Sequence, residues 1–130
     1  MRCFPIMVAA GDEPFWVPKR AFCEHFDLDD LKCREVINTN AAYYPKWITR
    51  KNGALWFELP TVMFISGKTQ FISGRHRTAV LLPYLDTIPI AFAKVMPGNE
   101  GRPNWFQCLQ PVDPRKTIEL PDLPILEAKP

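Results

Sequence analysis

Fourteen prolines in 130 residues limit what this chain can fold into more than any other feature. Each fixes its own φ near about −65° and removes a backbone donor, so neither a helix interior nor a paired strand interior accepts one cheaply. The chain is therefore cut into short pieces. Pro5 lies inside an apolar run at residues 4–9 that suits a strand, and it pushes that strand toward a sheet edge. Pro14 and Pro18 read as fixing a loop over residues 11–18, with Phe15 and Trp16 folding back on the core. Pro18 also suits the first position of a helical turn running to Phe22. Pro83 should end a helix that precedes it, and Pro89 stands at the start of a strand over residues 88–95, where it costs least. Half of the prolines fall after Val95. That density forbids a long helix there and leaves room for a short docked element at residues 105–109. Residues beyond Gln110 are expected to lie extended along the domain, to pair with a partner or to be loose.

Between the prolines the local signals are clearer. Asp27 can cap a helix whose first turn holds Asp29 and Asp30, and Leu28 and Leu31 begin an apolar stripe ending near residues 38–40. Those three acids could instead ligate a metal, but capping accounts for all of them. Asn52-Gly53 between two apolar stretches is the strongest hairpin signal in the chain. Residues 61–65 and 70–72 form a second strand pair around a tight turn at 66–68. Trp47, Trp56, Tyr43 and Tyr44 allow two readings, the body of a small core or a stacking surface for bases. The sum is an α+β fold, a small mixed sheet with helices packed on it.

Composition narrows the function classes. The length suits one domain, and 47% hydrophobic with 23% charged residues is globular. A formal net charge of +2 is too small for a general nucleic-acid binder, so attraction to an anion must come from a local patch. No apolar run approaches the roughly 20 residues needed to cross a bilayer. The first residues read as a strand rather than a leader, because Pro5 interrupts them and Asp12 and Glu13 follow, so a cytoplasmic location is expected. Cys3, Cys23, Cys33 and Cys108 show no zinc or redox spacing; reduced thiols are expected, with one or two disulfides as the alternative in an oxidising compartment.

One stretch carries chemistry. Phe71-Ile72 leads into Ser73-Gly74, and an apolar-periodic helix opens with Arg75, His76 and Arg77 and continues toward Leu82. Cations in a first helical turn oppose the helix dipole, and the clash is relieved when an anion sits there. Ser73 and Gly74 would bring backbone close to a phosphate. Arg75 and Arg77 would neutralise it, and Thr78 would cap or reach it. His76 could hydrogen-bond the phosphate or move a proton. Arg20 would approach from the first helix. A solvated basic helix start is the plain alternative. A hydrolase would add Mg²⁺ on a carboxylate, for which Glu58 and Asp86 are the candidates nearest the box.

These pieces resemble the ParB/sulfiredoxin-like superfamily in order and spacing. The matching segments are Pro18-Lys19-Arg20, Phe26-Asp27-Leu28-Asp29-Asp30-Leu31, Leu59-Pro60-Thr61-Val62, Gly74-Arg75-His76-Arg77-Thr78-Ala79 and Thr87-Ile88-Pro89-Ile90. The resemblance covers residues 16–95, with about 40–58 as an insertion, inside a domain of residues 1–110 followed by a Pro-rich tail, 111–130. It implies a nucleotide, ATP or another NTP, held at Arg20 and residues 73–78, with His76 and Arg77 as catalytic candidates. Arg75 stands where the sulfiredoxin branch has its reactive cysteine, so sulfinic-acid reduction is not expected. The partition branch adds a helix-turn-helix that this chain does not extend to. The compact members, fertility-inhibition proteins of plasmids and other mobile elements, imply hydrolysis of ATP or cleavage of DNA. The alternative is a non-enzymatic adaptor or inhibitor that binds DNA or engages a protein partner through the C-terminal tail. No membrane role is implied.

Overall fold

The computed structural model describes residues 1–7, 9, 11–26, 47–65, 68–94 and 103–121. The acid-capped helix expected from Asp27, Tyr43, Tyr44, Cys33 and the 66–67 turn lie outside the described residues. The described chain is α+β, as the pattern suggests, but its strands form two mixed sheets rather than one. A four-stranded sheet contains β1 (Arg2–Ile6), β3 (Ile48–Lys51), β4 (Ala54–Glu58) and β9 (Ile118–Glu119), in the order β3-β4-β1-β9. A five-stranded sheet contains β2 (Glu13–Pro18), β5 (Thr61–Ile65), β6 (Lys68–Ser73), β7 (Thr87–Phe92) and β8 (Gln110–Pro111), in the order β6-β5-β7-β2-β8. Helices α1 (Lys19–His25) and α2 (Arg75–Leu81) and a 3-10 helix (Asn104–Cys108) complete the described elements.

Two proline readings need correction. β1 is internal, not an edge, and residues 13–18 are a strand, not a loop, despite Pro14 and Pro18. The reason is strand parity, since successive residues direct their backbone groups to alternate flanks. In β1, Met1 accepts from Leu120 while Ile6 accepts from Leu59, so odd residues address β9 and even residues address β4. The missing donor of Pro5 thus faces the β9 flank, beyond the last pair, Cys3 with Ile118. In β2 the carbonyl of Pro14 accepts from Val112, which places the even positions on the β8 side. That ladder holds only Phe15–Pro111 and Trp16–Gln110, so it makes no demand on the nitrogen of Pro14 or Pro18. Pro89 likewise faces β5 before their first bond, Ala91 N–H to the Pro60 carbonyl. Each proline nitrogen falls at or beyond the end of a ladder.

The Asn52-Gly53 hairpin forms as expected. Both turn residues have positive φ, 53° and 75°, the I′ geometry that matches the twist of β3 and β4. The segment read as an insertion therefore supplies half of the four-stranded sheet. Residues 110–121 contribute to both sheets: β8 extends the larger, β9 the smaller, and Val112, Ile118 and Leu120 are buried.

The chain crosses between sheets at Leu59-Pro60. Leu59 N–H donates to Ile6 in the first sheet, and the Pro60 carbonyl accepts from Ala91 in the second. Around this crossover Phe57, Leu59, Val62, Leu81, Ile90 and Phe92 are fully buried, each such side chain contributing about 1.5–3 kcal/mol relative to exposure. An aromatic cluster extends the core, with Phe106 edge-on to Phe92 at 4.9 Å and to Phe15 at 4.7 Å. The 3-10 helix thus docks as its sequence suggests.

A cationic cleft where the sheets meet

Helix α2 is short, and packing rather than propensity holds it. Residues 77–81 are all buried, and the chain turns out of the helix at Pro83. Gly74 begins it in the left-handed region, φ 84°, with no side-chain cap and no acid in the first turn. A Cβ at this position would lie 2.6 Å from Pro60 Cα and 2.8 Å from its Cβ. Gly74 is therefore required by the crossover, where its place in the box had pointed to close approach of a phosphate. The start of α2 is pressed against the junction of the two sheets, and that contact places everything that follows.

A cleft of about 430 Å³ opens here, lined by Ser73, Gly74, Arg75, His76 and Arg77 of the box together with Trp47, Phe71 and Ile72. The three basic side chains play unequal parts. Arg77 is only 8% exposed, and its Nη1 donates to the Glu58 carbonyl at 2.6 Å and lies 3.6 Å from the Glu58 carboxylate. Its guanidinium also sits over the Trp47 ring, 6.0 Å from the centroid. Burial pulls its pKa below the usual arginine value, and Glu58 opposes that shift. Arg77 is thus partly structural, tying α2 to the end of β4. Arg75 is exposed at the rim. The pKa of His76 is lowered from 6.5, first by burial and then by the Arg75 charge. At neutral pH its imidazole is uncharged, able to accept or give one proton.

Other expected site residues lie elsewhere. Thr78 is fully buried and its hydroxyl donates to the Gly74 carbonyl at 3.0 Å, so it braces the helix start and does not face the cleft. Arg20 is exposed on α1, its Nε 4.0 Å from Glu24, and does not line the cleft. Glu58 is engaged by Arg77, not held open for a cation. Asp86 is exposed beyond the C-terminal end of α2, its carbonyl accepting from Lys19 N–H. Glu58 and Asp86 therefore do not fit a shared Mg²⁺ site. Among the described residues no three His, Cys, Asp or Glu side chains gather as ligands. Cys3, Cys23 and Cys108 form no disulfide with one another. Among the described residues no helix is long and apolar enough to cross a membrane. Trp47, read from sequence as core or as a base-stacking surface, and Phe71, read only as the strand leading to the box, both line the cleft. Phe71 precedes the box on β6, which was a usable signal, but Trp47 is brought in from roughly 30 positions away by the fold.

No family model, curated protein or solved structure matches this chain. The class rests on the geometry alone: an α+β domain of two mixed sheets with a cationic, aromatic-walled cleft at their junction.

Proposed function

We propose that this chain binds a nucleotide, ATP or another NTP, in the cleft at Ser73–Arg77. One observation carries the reading: a basic pair, Arg75 and His76, and an indole, Trp47, border the same 430 Å³ space. Arg75, and His76 once it takes up a proton, suit phosphate oxygens, and Trp47 suits the flat face of a base. The depressed pKa of His76 supports the reading further, since an anion would relieve what desolvation and Arg75 impose. Hydrolysis of ATP or of a DNA phosphodiester is the reaction that the likeness to ParB/sulfiredoxin-like proteins of mobile elements implies. His76 is the cleft residue suited to move a proton in such a step. A nucleotide-dependent adaptor without turnover is the second reading, favoured by the commitment of Glu58 to Arg77.

Calorimetry with ATP tests the binding. The double variant Arg75→Ala, His76→Gln should lose about tenfold or more in affinity, the scale of a charge-assisted hydrogen bond, while retaining the fold. Binding should take up protons near neutral pH, seen as a heat that varies with the ionisation enthalpy of the buffer. Equal affinity for wild type and variant would overturn the proposal.

A further inference from the structure

Trp47 and Trp56, neighbours in the aromatic-rich stretch, part company in the fold. Trp47 borders the cleft, whereas Trp56 stands on the outer face of the four-stranded sheet. Register places Phe4 beside Trp56 on one flank and Thr49 on the other. The Phe4 and Trp56 rings lie 5.0 Å apart and tilted by 32°. Cys3, Pro5, Phe57 and Ile118 occupy the alternate positions and are buried, so the row Thr49–Trp56–Phe4 faces outward. A depression of about 530 Å³ opens beside Phe4 and another of about 420 Å³ beside Trp56.

Charge borders this aromatic row. Lys51 and Arg2 occupy the same face one step along their strands, and Arg115 and Lys116 line the depression beside Phe4. The nearby carboxylates are already engaged. Glu119 accepts from Arg2 at 3.0 Å and from the terminal ammonium at 3.3 Å, Asp113 from Arg115, and Glu58 pairs with Arg77. Two stacked copies of the chain would set these cations against one another, which disfavours self-association through this face. A ligand with flat apolar rings and regularly spaced negative charge fits both features.

We propose that this outer sheet face binds single-stranded nucleic acid, bases stacking on Phe4 and Trp56 and phosphates meeting Lys51 and Lys116. Every base has a π-face, so such a platform tolerates any sequence, while a duplex hides those faces and binds less well. Binding here does not depend on the nucleotide cleft.

The test is fluorescence anisotropy of the full chain with labelled oligothymidylate about twelve nucleotides long, within the site sizes of single-strand binding folds. Trp56→Leu and Phe4→Leu keep apolar packing but remove the ring, and circular dichroism and melting show whether each still folds. Each should lose about tenfold in affinity, the scale of one stacked base. Lys51→Glu and Lys116→Glu leave the aromatic row intact, and each should flatten the plot of log affinity against log salt by about 0.7. The Arg75→Ala, His76→Gln variant should bind as wild type does, which separates this face from the cleft. The proposal is overturned by absence of binding at low salt, by binding that the two leucine variants leave unchanged, by tighter binding of the matching duplex, or by loss only in the cleft variant. Sedimentation showing a dimer that Trp56→Leu dissociates would overturn it in favour of a second copy.

Discussion

Two regions of this molecule gather positive charge, and they treat it in opposite ways. Around β9, Arg2 and Arg115 lie in water beside Glu119 and Asp113, and each pair favours the ionised carboxylate. The hydrogen bond from Arg115 holds Asp113 below its usual pKa, the one from Arg2 does the same for Glu119, and Asp113 raises Arg115. In the cleft, His76 and Arg77 are both pulled down by burial. A solvated pair contributes little because solvent screens it, whereas a buried cation must be answered by groups fixed in place. Glu58 gives that answer to Arg77, yet burial still outweighs it. A bound anion would supply in the cleft what Glu119 and Asp113 already supply at the surface.

The largest expected effect contrasts two left-handed glycines. Gly74→Ala puts a Cβ into Pro60 as well as into a strained φ, and should cost about 2–5 kcal/mol in denaturant unfolding. A Cβ at Gly53 would meet nothing within 4 Å, so Gly53→Ala should cost about 1–2 kcal/mol, the backbone strain alone. Equal losses would mean that α2 is not wedged against the crossover.

Next comes the contrast between arginines. Arg77→Ala removes a buried charge-assisted hydrogen bond to the Glu58 carbonyl and should cost about 2–3 kcal/mol. Arg115→Ala, at an exposed position, should leave the melting temperature unchanged within error. A harmless Arg77→Ala would show that this guanidinium is available to serve a ligand.

The smallest effect is in pH. The folded pKa of His76 is lowered, so between that value and the ordinary 6.5 the unfolded chain binds more protons than the folded one. Stability therefore rises with pH through this window and falls on acidification. Asp113 and Glu119 are also lowered, from 3.8 and 4.5, so what they contribute is present above those values and is lost as pH falls further. Unfolding midpoints across pH should show His76→Gln losing the slope that lies below pH 6.5 while keeping the acid one. Saturating anion should reverse the sign of the upper slope, because the bound state favours protonated His76.

The parts legible in the sequence were those decided within a few residues. Asn52-Gly53 declares a I′ turn because both positions need positive φ. Gly74 and Pro83 bracket α2 by local backbone rules alone. The cluster Arg75-His76-Arg77 marked the cleft, but not the diversion of Arg77 toward Glu58, which needs β4 beside α2. Thr78 looked available for a ligand because its burial is a property of the packed helix.

By itself, the sequence determined where the chain must turn, where its helix near the middle begins and ends, and that cations collect at one such beginning. These follow from the φ limits of glycine and proline and from charge carried by adjacent residues. Tertiary structure alone decided that there are two sheets, that Pro5, Pro14 and Pro89 lie inside them without loss, and that Trp47 and Trp56 serve different faces. A strand's tolerance of proline depends on which flank its partner occupies and where that partner stops. Those are long-range pairings, and no local pattern encodes them.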